Sequence, residues 1–169
     1  MASLKYRHES HALIFAPVEQ VFAHMDDHTR MSGHMNESSW KMGGGRMATW
    51  LDANRGRAVG SRIRLAGRAF GFDLCVEEVV VEREPPSRKV WATTGVPQLV
   101  VIGHYRMGFD LSPEANGSRL RVFIEYALPE KAPIHWLWRL LAGYYARWCT
   151  QRMVDDVARQ LARSAEAPG

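Results

Sequence analysis

Cysteine is scarce in this chain of 169 residues: there are two, Cys75 and Cys149, far apart in sequence. They make neither a disulfide framework nor a Cys-x-x-Cys metal or redox pair. A reduced, cytoplasmic setting is the simplest expectation. Long apolar runs are missing as well. No stretch reaches the ~18 residues that a membrane-spanning helix needs. The longest, from Ile134 to Trp148, is broken by Arg139 and Arg147. The start, Met1 to Glu9, has no basic segment leading into an apolar one, so no signal peptide is expected. The glycines at Gly43-Gly44-Gly45, Gly56 and Gly60 are not followed by Gly-Lys-Ser/Thr and a helix. They read as turns or entrance loops, not as a phosphate cradle. No Ser-His-Asp or Cys-His arrangement is apparent, and there is no internal repeat or low-complexity segment.

The net charge is +4 and the basic side is mostly arginine. The arginines are scattered along candidate strands and not gathered on one face, so no nucleic-acid partner is expected. His24 and His28 are four apart and would share a face of one helix, with Asp27 beside them. The pair Asp26-Asp27 reads as a helix break that separates the two rings, and no Glu is placed as a hydrolytic base. Histidines exposed at a helix junction are therefore expected, with no metal and no cofactor.

A half-buried strand is predicted from Tyr6 to Phe15. Pro17 opens a short helix carrying Val18, Val21, Phe22 and Met25. A second short helix runs from Asp27, as N-cap, to Met31, with Gly33 ending it. A loop covers Asn36 to Gly45. Strands follow at Arg46–Asp52, Ser61–Phe70, Phe72–Glu84, Lys89–Thr94, Leu99–Leu111 and Ser118–Leu128, with turns at 54–57, at Gly71, at Pro85-Pro86 and at Asn116-Gly117. A long helix is predicted from Ile134 to Ala162. Strands joined by short turns pair as an antiparallel meander. One face of that sheet is apolar, and only the last helix is long enough to cover it. The chain thus reads as one α+β domain over 1–169, its tail fraying from about 163.

Four local patterns recur in a specific order. Ile14 to Phe22 runs from strand to helix through Ala16-Pro17. Asp27-His28-Thr29-Arg30 follows that helix. Glu82-Arg83-Glu84-Pro85-Pro86 bends into Lys89-Val90-Trp91. Asn116-Gly117-Ser118-Arg119-Leu120 enters the last strand. Together, over nearly the whole chain, they resemble the START and birch-pollen-allergen superfamily (SRPBCC), in particular its polyketide cyclase/dehydrase-like bacterial branch. The resemblance implies the helix-grip fold. In it a curved seven-stranded antiparallel sheet wraps around a long C-terminal helix, with two short helices after the first strand. It also implies a cavity for apolar or amphipathic small molecules. The superfamily spans carriers, receptors, cyclases and chaperone cofactors, so the fold does not choose a function.

On the strand after Gly103, His104, Arg106 and Asp110 lie on one face, and Tyr105, Met107 and Phe109 on the other. The apolar set points inward, where the Tyr105 hydroxyl must find a partner. Trp91 and Thr93 on the previous strand, Tyr126 on the next and Leu140 on the helix join it as candidate ligand-binding residues. A plain aromatic core with locally satisfied hydroxyls is the competing reading. Alternation turns one of Glu77 and Glu78 inward, where burial would raise its pKa and suit it to acid–base work. Val79-Val80-Val81 blurs the phase, and a bulge would let both face water. The catalytic candidates are Glu78, Glu77, His104 and Tyr105.

On the last helix, Trp136, Leu140, Gly143, Thr150, Val154, Val157 and Leu161 form one stripe, interrupted by Arg147 and expected to face the sheet. Ile134, Leu137, Leu141, Tyr145 and Trp148 form a second stripe, flanked by Trp138 and Tyr144. Burial under the chain's own loops, contact with a second copy and contact with a membrane surface are the three readings of it. The expected function is binding of a small hydrophobic or amphipathic ligand, lipid, isoprenoid/quinone or polyketide-like. The alternatives are a cyclase/dehydratase-type enzyme using one or two interior polar groups, and a lipid carrier docking at a membrane.

Overall fold

The computed structural model describes residues 3–31, 46–69, 71–130 and 134–166. The loop over 36–45, its glycines and the stop at Gly33 lie outside them. The elements run β1 (Tyr6–Ile14), α1 (Val18–Met25), α2 (His28–Met31), β2 (Arg46–Leu51), β3 (Arg62–Ala69), β4 (Phe72–Glu84), β5 (Arg88–Gln98), β6 (Tyr105–Glu114), β7 (Gly117–Tyr126) and α3 (His135–Glu166). The strands form one seven-stranded sheet in the order β1-β7-β6-β5-β4-β3-β2, and every pairing is antiparallel. This is the α+β helix-grip fold. β1 and β2 are the two edges, so the chain between them must travel from one edge to the other, and α1 and α2 lie on that path.

Alternation sets the two faces. On β7, Ser118, Leu120, Val122, Ile124 and Tyr126 are buried on the inner face. The outer face is a ladder of opposite charges across strands. Arg7 pairs with Glu125 at 3.3 Å, Arg88 with Glu82 at 2.7 Å, and Arg121 with Asp110 at 3.1 Å. Arg88 also meets Asp110, and Arg106 meets Glu82. Beneath them Phe123 is covered by the guanidinium groups of Arg7, Arg88 and Arg121, a cation–π roof over an outward-facing aromatic ring. Arg7, Arg88, Arg106 and Arg121 are thus spent on carboxylates of other strands.

Several element boundaries move. β5 continues to Gln98, and the next strand begins at Tyr105, not Leu99. β5 pairs with β6 only from Arg88 to Ala92; beyond that it follows β4 while residues 99–104 carry the chain across the gap. Gly117 is the first residue of β7, and Ala115 and Asn116 form the turn. A Cβ at Gly117, whose φ is 151°, would overlap the Ile14 carbonyl oxygen, so glycine is required by the close approach of β1. α3 runs to Glu166, beyond Ala162, because no helix breaker comes before Pro168.

α3 lies along β1 and β7. Its buried stripe is Ala142, Ala146, Cys149, Thr150, Met153, Val154, Val157 and Leu161. The expected stripe holds from Thr150 onward and fails before it, because Trp136 and Leu140 are 63% and 59% exposed. Close packing against β1 and β7 selects the small Ala142 and Ala146, which a count of large apolar residues overlooks. Thr150 is fixed to the sheet by its hydroxyl, 2.8 Å from that of Ser10.

Candidate functional site

Two polar clusters lie inside the fold. The first centres on Glu78. Val76, Glu78 and Val80 alternate inward along β4, while Glu77 is exposed opposite Arg64. The pairing of β4 with β3 is unbroken from Phe72 to Val79, so the alternation through the two glutamates is regular. Against β5 the register shifts on either side of them, between Cys75 and Glu77 and again at Val81, where Val80 pairs with Trp91 and Glu82 with Val90, while Glu77 to Val80 pair in step with Thr94 to Trp91. Glu78 is 4% exposed. The Tyr105 hydroxyl donates to its Oε1, and the Trp91 side chain is a further donor. Burial outweighs both donors and pushes the carboxyl pKa up to about 7. A protonated and an ionised form then coexist at neutral pH.

α3 closes this cluster from the other side. Burial and the Glu78 carboxyl raise the Tyr105 phenol well above its usual value, with Tyr145 and Cys149 contributing. Burial, then Cys149, then Glu78 raise Tyr145. Burial and Glu78 push the Cys149 thiol up to about 12. Both phenols and the thiol stay protonated and neutral, so the cluster offers hydrogen-bond donors in an apolar surround. Met107, Tyr126, Ile102 and Ala146 are part of the same core.

The second cluster joins α1 and α2 to the sheet. Lys89 is fully buried. Its ammonium donates to Asp26 Oδ1 at 2.7 Å and to the Asp26 carbonyl at 2.9 Å. Arg83 donates to both Asp26 carboxylate oxygens, at 3.2 and 2.8 Å. Burial raises the Asp26 pKa, but Arg83 and Lys89 outweigh it and hold the carboxyl below its usual range. His28 packs edge-on against Trp91, ring centres 5.1 Å apart. Burial, reinforced by Lys89, lowers its pKa to about 3, so it is neutral. Gly56, at φ +73°, makes room for that ring: a Cβ there would stand 2.5 Å from His28 Cδ2.

Comparison with known proteins decides the family. A family model described as polyketide cyclase / dehydrase and lipid transport matches residues 7–166. The chain belongs to that family. Within the SRPBCC superfamily its fold is shared by solved structures of low identity. A protein from Thermus thermophilus superposes with a TM-score of 0.70 at 16% identity, over 94% of this chain and 99% of that one. Ara h 8.0201 gives 0.64 at 10% identity, over 94% and 98%. A protein from Chromobacterium violaceum gives 0.57 at 18%, over 90% and 96%. These likenesses show the fold alone. No curated protein matches the sequence.

In this cyclase/dehydrase and lipid-transport family member, the structure brings Glu78, Tyr105 and Trp91 together. It leaves Glu77 outside. His104 sits just before β6, its Nδ1 3.2 Å from the Thr93 hydroxyl. That hydroxyl also accepts the Tyr105 backbone N–H at 3.2 Å, bridging β5 and β6 just where their ladder ends. Phe109 is packed edge-on against Phe22 of α1. Tyr126 stacks on Tyr6. Leu140 lies on the outer side of α3, apart from the others.

The expectation of exposed histidines is overturned. His24 and His28 are both buried; the break after Met25 sets the ring of His28 against Trp91 of the sheet. The break itself forms as expected, with Asp27 Oδ1 accepting the Thr29 N–H at 3.0 Å. Among the described residues no three His, Cys, Asp or Glu side chains group to hold a metal ion. Sequence reasoning also missed Tyr145 as a site residue, placing it on the outer stripe. It missed the Asp26–Lys89–Arg83 cluster altogether. The available signal was Lys89 itself, which alternation from Trp91 places on the inner face.

Proposed function

We propose that the protein binds one small apolar or amphipathic molecule, lipid, isoprenoid/quinone or polyketide-like, between the inner face of the sheet and α3. Glu78 and Tyr105 meet its polar end. The observation that carries this reading is a hydrogen-bonded carboxyl–phenol pair buried among apolar side chains, where nothing in the fold itself demands one. The reducing setting proposed for it is the cytoplasm, in keeping with two free cysteines. The test is native mass spectrometry of protein purified from its own host, followed by extraction. A near-stoichiometric added mass that disappears on extraction supports the reading; a bare chain that also takes up none of the three ligand classes in vitro sinks it.

A second reading is an acid–base enzyme of the cyclase/dehydratase type, favoured by the near-neutral pKa of Glu78. In a dehydration, the Glu78 carboxylate would remove the proton α to a carbonyl while Tyr105 donates to the developing enolate oxygen. The same carboxyl would then deliver that proton to the departing β-hydroxyl, releasing water.

The outer stripe of α3 is where a partner would act. Ile134, Trp136, Leu140, Leu141 and Tyr144 are exposed, Leu137 and Trp138 half so, while Tyr145 and Trp148 pack toward the core. No Asp or Glu occurs between His135 and Met153, whereas Arg139 and Arg147 are exposed. Aromatic rings, leucines and unopposed arginines suit an anionic membrane surface, and we propose that this stripe docks there. Trp136→Ser with Leu140→Ser should weaken binding to vesicles rich in anionic lipid by about tenfold. A wild-type chain that ignores such vesicles, or that buries the stripe in a stable dimer by sedimentation, would overturn the docking.

A further inference from the structure

Among the described residues the inner cluster has donors but no cation. Glu78, Tyr105 and Trp91 converge, with Tyr145 and Cys149 above them on α3. The shift of Glu78 has burial and two hydrogen bonds as its causes, and no lysine, arginine or histidine is among them. Inward-facing cations do exist close by in sequence: Lys89 is two residues from Trp91 on β5. The Asp26 carboxylate already takes the Lys89 ammonium and the Arg83 guanidinium. The Trp91 ring has His28 edge-on against it and is a donor toward Glu78. The two clusters therefore share a wall and not a charge.

We propose that the ligand's inner end is an uncharged hydrogen-bond acceptor, a ketone or quinone carbonyl, and that Glu78 with Tyr105 makes the site reject carboxylates. This rests on the binding reading above and narrows its ligand class. An anion brought beside Glu78 would lose its hydration and gain no counter-charge, and an ionised Glu78 would repel it. A neutral carbonyl meets two donors once the Tyr105 phenol turns its one proton from Glu78 Oε1 to the ligand: that phenol and the protonated carboxyl of Glu78. Its oxygen accepts both without any charge being buried. Because the carboxyl donates only when protonated, a carbonyl ligand and a proton on Glu78 bind with positive coupling. Affinity for such a ligand must then rise as the pH falls through the titration of that group. Behind Trp91, Arg83 and Lys89 hold the Asp26 carboxyl below its usual range, burial lowers Lys89 while Asp26 supports its charge, and His28, lowered to about 3, is neutral at both pH 6 and pH 8. Tyr105, Tyr145 and Cys149 stay neutral there, so Glu78 is the group in the cluster that titrates.

The test compares 2-undecanone with undecanoate, matched in chain length, by isothermal titration calorimetry on the wild-type chain at pH 6 and pH 8. The ketone should bind about tenfold or more tightly than the carboxylate at pH 8, and several-fold more tightly at pH 6 than at pH 8. Glu78→Gln, which keeps a neutral donor, should hold the ketone, lose the pH dependence and gain affinity for undecanoate. Tyr105→Phe should weaken the ketone at both pH values. Equal affinity for ketone and carboxylate on the wild type would overturn the charge selection while leaving the binding reading standing. If neither probe nor undecane binds, the binding reading falls, and this one with it.

Discussion

Asp26→Ala is expected to lower folding stability by about 3–5 kcal/mol, while Lys89→Met should cost under about 1.5 kcal/mol. The asymmetry follows from the geometry. Removing Asp26 leaves a fully buried ammonium with no carboxylate, and Arg83 loses both its hydrogen bonds in the same step. Removing Lys89 leaves Asp26 with its two bonds from Arg83, and the methionine stem refills the volume. Burial depresses the Lys89 pKa and Asp26 supports it, so the lysine without its partner must either stay charged at high cost or give up its proton. Urea unfolding of both variants at pH 7.5 reads the difference directly. Equal losses would mean that Lys89 is itself the main support of the α1–α2 junction.

Glu78 makes stability depend on pH with a recognisable sign. Its folded pKa, about 7, lies above its ordinary value of 4.5. Between those values the folded chain holds a proton that the unfolded chain releases, so this group's contribution declines as pH rises through the window and is flat above about 7. His28 acts in the opposite sense. Its folded pKa of about 3 lies below 6.5, so its contribution is full above pH 6.5 and is lost as pH falls toward 3. Between 4.5 and 6.5 the slopes of these two groups oppose each other and largely cancel. Glu78→Gln removes only the declining term. Relative to wild type, the variant should gain about 2–3 kcal/mol between pH 5 and pH 8. Chemical denaturation of both proteins at the two pH values measures that change. A stability difference that does not vary with pH would show that Glu78 keeps an ordinary carboxyl pKa.

The strands were legible in the sequence because a half-buried sheet writes its two faces as alternation. β7 is the clearest case, with Leu120, Val122, Ile124 and Tyr126 against Arg119, Arg121 and Glu125. Where alternation is ambiguous, the reading depended on pairing. The phase at Glu77-Glu78 was open because three valines follow. The unbroken register with β3 from Phe72 to Val79 closes it, and the shifts against β5 fall outside Glu77 to Val80. The strand before Asn116 is shorter than its pattern suggests because residues 99–102 are apolar yet lie outside the ladder, and composition does not record a missing partner strand. On α3 the large apolar residues drew the stripe toward Trp136 and Leu140, while the sheet selected alanines for close approach.

The sequence alone determined the order of the elements, the antiparallel sheet and the need for one long helix to cover it. Those follow from periodicities of two and 3.6 and from turn residues, which are local properties. It also named Glu78 and Tyr105 individually as candidates. Only the tertiary structure decided that they meet, since they lie on different strands and their contact depends on register and sheet curvature. The same holds for Lys89 and Asp26. A charge is read from sequence as a surface feature by default, and burial becomes tolerable only when folding supplies the partner.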